Sequence, residues 1–100
     1  MVKHVILWQL KDELTVDEKK KIKAEMVVAL EGLVGKVPGL LEVKVQTEGL
    51  ASSNAEVMLD TTLTDEEALK GYAVHPDHVD VANTYVRPFT KARLCMDFEI

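Results

Sequence analysis

The sequence has few features that would tie it to a membrane, to nucleic acid or to an oxidising compartment. Its single cysteine, Cys95, excludes an intramolecular disulfide and does not suggest secretion. No apolar run approaches the roughly 18 residues of a membrane-spanning helix, and no signal-peptide pattern is present. The net charge is −5, and no basic run interleaved with aromatic residues marks a nucleic-acid surface. We therefore expect a cytoplasmic protein that binds neither membranes nor nucleic acid.

The remaining composition is that of an ordinary globular domain, with 47% hydrophobic and 29% charged residues. One hundred residues predict a single domain over 1–100 that buries only about 60–65% of its unfolded surface, so a partner would help to stabilise it. The one cationic cluster, residues 19–21, follows two acidic residues in a predicted helix and indicates a solvated face.

Alternation and capping signals give the order of elements. Strands are predicted over 2–10, 41–46, 55–62 and 91–100, where apolar and polar residues alternate. A capping box at Thr15 and Glu18 opens a helix to about Gly35, and a second box at Thr64–Glu67 opens a short helix to Tyr72. A further helix begins at Pro76 and runs to about Val86. This βαββαβ order predicts an α+β, ferredoxin-like subunit with both helices on one face of a four-stranded antiparallel sheet.

The same alternation predicts what each face of the sheet carries. We assign the following residues to the helix-covered face: His4, Ile6, Trp8, Val43, Val45, Val57, Leu59, Leu94, Met96 and Phe98. The opposite face then carries Val5, Leu7, Met58 and Cys95. Charged residues, among them Arg93 and Asp97, surround this apolar group, which is too large to remain in water. We expect a second copy of the chain to cover it, sheet against sheet.

The segment from Tyr72 to His78 is the strongest candidate for a site. It places a phenol at the end of one helix and His78 in the first turn of the next, with His75 and Pro76 at the corner between them. An imidazole can exchange protons near neutral pH, and a phenol can donate a hydrogen bond to a developing oxyanion. A purely structural role competes with this interpretation, because a histidine beside a helix start can satisfy a backbone group and a tyrosine at helical spacing can belong to the core.

The histidines do not predict a metal centre. Only His75 and His78 have close spacing, and Asp77 and Asp80 are the only carboxylates near them. We therefore expect no cofactor and no histidine-bound transition metal, while a hard cation held by carbonyl oxygens would leave no trace in the sequence.

Four segments together resemble the stress-responsive dimeric α/β-barrel (Dabb) family, and the resemblance covers essentially the whole chain. They are the opening Val2–Leu7, Val37–Gly39, the Tyr72–Val79 stretch with its His-Pro-x-His core, and the closing Met96–Glu99. The resemblance implies a ferredoxin-like subunit that pairs into a dimeric barrel. It implies no single activity, since many members of the family have no assigned biochemistry.

The resemblance also implies a site. In a plant polyketide cyclase of the family, a tyrosine and a histidine of this motif close a ring by an aldol-type reaction. The matching catalytic pair here is Tyr72 and His78, and the residues matching the pocket are His4, Ile6, Trp8, Ile22, Met26, Leu59, Ala73 and His75.

Two hypotheses follow. The first is a cyclase-like or lyase-like enzyme that binds an apolar carbonyl compound under the helices, where His78 removes a proton and Tyr72 supports the enolate. The second is a homodimeric binding or stress protein of unassigned biochemistry, in which the motif holds the helices. A cavity that reaches Tyr72 and His78 favours the first, and a pocket filled by Trp8 and Met26 favours the second.

Overall fold

The computed structural model describes all residues from Met1 to Ile100. Its elements are, in chain order, β1 (Val2–Leu10), α1 (Val16–Glu31), β2 (Leu40–Gln46), β3 (Val57–Leu63), α2 (Glu66–Val74), α3 (Pro76–Val81) and β4 (Thr90–Glu99). A π-helical turn over Ala82–Val86 and a 3₁₀ turn over Arg87–Phe89 connect α3 to β4.

The four strands form one antiparallel sheet in the order β2-β3-β1-β4. This arrangement confirms the predicted α+β, ferredoxin-like fold, in which β1 lies between β3 and β4. None of the helices combines the length and the apolar composition that crossing a membrane requires.

Local signals explain most of the helix boundaries. Thr15 and Glu18 form the predicted capping box, which starts α1. The box predicted at Thr64 is wrong: Asp65 is the N-cap of α2, and its carboxylate accepts a hydrogen bond from the Ala68 N–H at 2.8 Å. The α1 helix also ends earlier than predicted, at Glu31, and turns fill the residues up to Pro38.

The turn into β2 depends on Gly39. Its backbone adopts a φ of +79°, and a Cβ at this position would lie 2.5 Å from the Cβ of Ala68 on α2. Only glycine meets both conditions, so the Pro38-Gly39 pair allows α2 to pack closely on this end of the sheet.

The hydrophobic core lies between the sheet and the helices. It comprises Ile6, Trp8, Leu10, Ile22, Met26, Leu30, Leu33, Val37, Leu40, Val43, Val57, Leu59, Leu63, Tyr72 and Val86. The core residues of β1 and β3 occupy alternate positions. In β2 the core residues Leu40 and Val43 are three positions apart, because the register shifts between Leu40 and Glu42. All three strands present the predicted face to the helices.

The predicted facing of β4 is wrong. In the β1–β4 register His4 pairs with Asp97, Ile6 with Cys95 and Trp8 with Arg93, and paired residues share a face. Arg93, Cys95 and Asp97 therefore lie on the helix side. Leu94, Met96 and Phe98, which we had placed under the helices, lie on the open face instead.

The open face is consequently more apolar than the sequence pattern suggested. Leu94 pairs with Leu7 and Met96 with Val5, and Leu7 also pairs with Met58 of β3. In the isolated chain Leu94 is 72% exposed and Met96 is 66% exposed. A continuous apolar surface of this kind, on a sheet with no covering layer, is typical of an interface.

Candidate functional site

A cavity of about 130 Å³ lies between the sheet and the helices. Side chains of β1, β3 and β4 line it from the sheet, and side chains of α1, α2, α3 and the turns before β4 line it from the other side. The lining residues are His4, Ile6, Trp8, Leu30, Leu59, Leu69, Tyr72, Ala73, His78, Ala82, Val86, Arg87, Thr90 and Arg93.

The corner between α2 and α3 brings Tyr72 and His78 together. His75 ends α2 and caps α3, because its Nδ1 accepts a hydrogen bond from the Asp77 N–H at 3.1 Å. Pro76 takes the first position of α3, where no N–H is needed. The resulting change of direction puts the rings of Tyr72 and His78 4.2 Å apart between centroids, tilted by 36°.

Both rings carry a buried polar atom without a partner. The hydroxyl of Tyr72 and Nδ1 of His78 make no hydrogen bond, although both side chains line the cavity. Unsatisfied buried polar groups are uncommon in folded proteins and are costly where they occur. This part of the cavity is therefore the candidate site for a polar ligand atom.

The surroundings fix the protonation of the pair at neutral pH. Burial raises the pKa of Tyr72 to about 12, so the phenol remains a hydrogen-bond donor. Burial also lowers the pKa of His78, an effect to which the charges of His4, Arg87 and Arg93 add and which the Ala73 carbonyl opposes. The imidazole is then neutral and can accept a proton.

His4 extends the polar side of the cavity along β1. It is buried, its Nδ1 lies 2.5 Å from a carboxylate oxygen of Asp97, and its ring packs edge-to-face on Tyr72 at 5.9 Å. A row of contacts therefore runs from Asp97, which lies on β4 outside the cavity lining, through His4 and Tyr72 to His78 on α3.

Most of the predicted site residues line the cavity, but not all of them do. The cavity is lined by Tyr72 and His78 and by the predicted pocket residues His4, Ile6, Trp8, Leu59 and Ala73. Ile22 and Met26 are core residues outside the lining, and His75 is used in capping α3. Trp8 forms part of the wall and leaves the cavity open.

Sequence reasoning missed Arg87, Thr90, Arg93 and Asp97. Arg93 and Asp97 were assigned to the open face, and only the pairing of Arg93 with Trp8 and of Asp97 with His4 brings them to this side. The register of β4, which a single sequence does not fix, was the missing signal.

One group of side chains has the donor atoms of a metal site. Atoms of His4, Cys95 and Asp97 lie within 4.8 Å of one another, with Cys95 Sγ 3.7 Å from His4 Nδ1. Burial raises the pKa of the Cys95 thiol, and the neighbouring Asp97 adds to this effect. The short contact between His4 and Asp97 is that of a hydrogen-bonded pair. His75 and His78, the only histidines with close spacing in the sequence, are not part of this group.

Comparisons with known proteins match the chain to one family. Residues 2–100 match the model of the family described as the Stress responsive A/B Barrel Domain. Olivetolic acid cyclase from Cannabis sativa is 28% identical over 100 residues, which cover 97% of this chain and 94% of the cyclase.

Solved structures show the same fold. A dimeric protein of unknown function with a ferredoxin-like fold from Bacteroides fragilis has a TM-score of 0.91 and 26% identity, over 99% of this chain and 95% of that one. The hydroxynitrile lyase from Passiflora edulis has a TM-score of 0.79 and 14% identity, over 99% of this chain and 92% of the lyase, and at that identity it shows the fold alone.

Proposed function

We propose that this chain, which belongs to the stress responsive A/B barrel domain family, is a homodimeric protein that binds a small apolar carbonyl compound between its sheet and helices. One observation carries the proposal. The Tyr72 hydroxyl and His78 Nδ1 lie unpartnered at a largely apolar cavity of about 130 Å³. Apolar walls with a few convergent polar groups are typical of small-molecule sites.

A carbonyl ligand suits these two atoms. The protonated phenol of Tyr72 can donate a hydrogen bond to a carbonyl oxygen, which satisfies a group that costs roughly 1–3 kcal/mol when buried alone. The body of the ligand would contact Ile6, Trp8 and Leu59, which form the apolar wall.

The open face of the sheet supports the dimer. Val5, Leu7, Met58, Leu94 and Met96 form one apolar surface on the side away from the helices. The Bacteroides fragilis protein of the same fold is described as dimeric. Sheet-against-sheet pairing would cover this surface and leave the cavity, on the other side of each sheet, free for a ligand. The cytoplasmic location stays a prediction from the single cysteine and from the lack of a signal-peptide pattern or a long apolar run.

A second candidate function is cyclase-like or lyase-like catalysis by the same pair, supported by the likeness to olivetolic acid cyclase and by the two protonation states. Neutral His78 would take a proton from the carbon α to the carbonyl. Tyr72 would donate its hydrogen bond to the enolate oxygen as negative charge develops there. No metal enters this scheme, because the proton moves to an imidazole nitrogen and the charge to a hydrogen-bonded oxygen.

Titration calorimetry with acetophenone, a one-ring ketone with α protons, tests binding. We expect saturable binding that Tyr72→Phe weakens by about tenfold, the effect of losing one buried hydrogen bond. Tyr85→Phe is the matched control, since Tyr85 packs against the core and does not line the cavity. Absence of binding to the parent protein, or equal binding by Tyr72→Phe, would contradict the proposal.

Deuterium incorporation at the α carbon of acetophenone, followed by NMR in D₂O, tests catalysis separately. Exchange faster than in buffer, lost in His78→Ala and kept in Tyr85→Phe, supports the acid–base role. Binding without accelerated exchange would support the binding function and contradict the catalytic one.

A further inference from the structure

Both arginines of the chain line the cavity. Ten of the twelve cationic side chains are lysines, and the two arginines, Arg87 and Arg93, stand at the turn before β4 and on β4 itself. Arginine offers a planar fork of donors that matches a carboxylate, whereas lysine acts as a point charge. The cavity therefore has two charges of the kind best suited to recognise a planar anion.

Neither arginine is neutralised by the protein. The six ion pairs of the structure use Lys3, His4, Lys19, Lys44, Lys70 and Lys91 as the cationic partner. Arg87 donates one hydrogen bond, from Nη1 to the Asn83 side-chain oxygen at 2.5 Å, and Asn83 is neutral. The other donors of Arg87 are free of protein carboxylates.

The lining contains no acidic residue at all, although the chain has 17 acidic residues and a net charge of −5. The charges of Arg87 and Arg93 reach the interior, since both contribute, after burial, to the lowered pKa of His78. A positive site in an acidic protein selects anions from solution and repels cations.

The size of the cavity limits what the anion can be. A volume of about 130 Å³ is close to that of a cavity of about 150 Å³ known to hold benzene, so it takes roughly one ring. Both arginines are exposed at the rim, and the apolar residues Ile6, Trp8 and Leu59 are buried. A ligand with an anionic group at the rim and an apolar body inside would match the exposed arginines and the buried apolar residues.

We propose that the ligand is a small monocarboxylate with an apolar body of about one ring, its carboxylate held by Arg87 and Arg93 and its body against Trp8. This inference rests on the proposed ligand-binding function: it adds a carboxylate, at the rim of the cavity, to the carbonyl compound proposed above, whose carbonyl oxygen stays at the Tyr72 hydroxyl. Small inorganic anions fit less well, because they leave the apolar wall uncovered.

Trp8 gives a direct readout, since it is the only tryptophan and lines the cavity. The experiment titrates benzoate and its neutral isostere benzamide into the protein and follows Trp8 fluorescence. We expect benzoate to bind at least about tenfold more tightly than benzamide, the range of a charge-assisted hydrogen bond. Arg87→Gln and Arg93→Gln should each lower the affinity for benzoate more than the affinity for benzamide, and so reduce that preference.

Lys44→Gln is the matched control. It removes one positive charge from β2, at the opposite edge of the same sheet, and its side chain is 70% exposed. Equal affinity for benzoate and benzamide in the parent protein would overturn the carboxylate inference and leave the ligand site standing. No response to either compound would overturn the ligand site itself. An equal loss of benzoate affinity in Lys44→Gln would show a general charge effect and also overturn the inference.

Discussion

Tyr72 and His78 lie with their ring centroids 4.2 Å apart, although they belong to different helices on either side of Pro76. The proline corner creates this proximity, and neither helix alone would do so. Both polar atoms of the pair lie at the cavity without a hydrogen-bond partner. The corner at Pro76 therefore does more than pack two helices against each other. It leaves one hydrogen-bond donor and one base available to a ligand.

The burial of His78 should make stability depend on pH. Its pKa in the folded protein is lowered, so between about pH 6.5 and that lower value the unfolded chain binds a proton that the folded chain does not. The free energy of unfolding should therefore fall as pH decreases below about 6.5. Urea unfolding at several pH values should show a shallower decrease in His78→Gln than in the parent, and identical slopes would contradict the burial of a neutral imidazole.

The apolar open face predicts a dimer that a single charge can split. Leu7 lies at the centre of this face, paired with Met58 on one side and Leu94 on the other. Leu7→Lys would bury an unpaired charge between the sheets, so we expect a monomer at micromolar concentration in sedimentation equilibrium, where the parent is a dimer. Val28→Lys, on the solvent side of α1, should remain dimeric, and a monomeric parent would refute the pairing.

Leu59 tests the core between the sheet and the helices. Its side chain is 1% exposed and faces the helix layer from β3. Leu59→Ala should lower the free energy of unfolding by about 2–4 kcal/mol, because the cavity it leaves cannot collapse fully. Chemical denaturation provides the measurement, and Leu50→Ala, at a position that is 81% exposed, should change stability by less than about 0.5 kcal/mol. Equal effects of the two substitutions would mean that Leu59 is not a core residue.

The fold could be predicted from the sequence because its signals are local. The alternation in β1 and β3, the capping box at Thr15 and the proline at position 76 each specify a strand or a helix start without reference to the rest of the chain. The order of these elements then leaves the ferredoxin-like sheet as the simplest arrangement. The Tyr72–His78 proximity followed from the same signals, since Pro76 fixes the corner.

The facing of β4 could not be predicted in this way. Alternate residues of β4 form two sets, one apolar and one containing Arg93 and Asp97. Either set could face the helices, and the apolar pattern alone favours the apolar set. A strand register depends on pairing with a distant segment, here β1, and a shift by one residue exchanges the two faces. The error concealed the arginines of the cavity and the full extent of the open apolar surface.

A crystal structure of the protein grown with acetophenone tests the central claim most directly. We expect ligand density in the cavity beside Trp8, with the carbonyl oxygen about 3 Å from the Tyr72 hydroxyl. Ordered water alone on Tyr72 and His78, in crystals soaked to saturation with the ketone, would contradict the claim that this cavity is a ligand site.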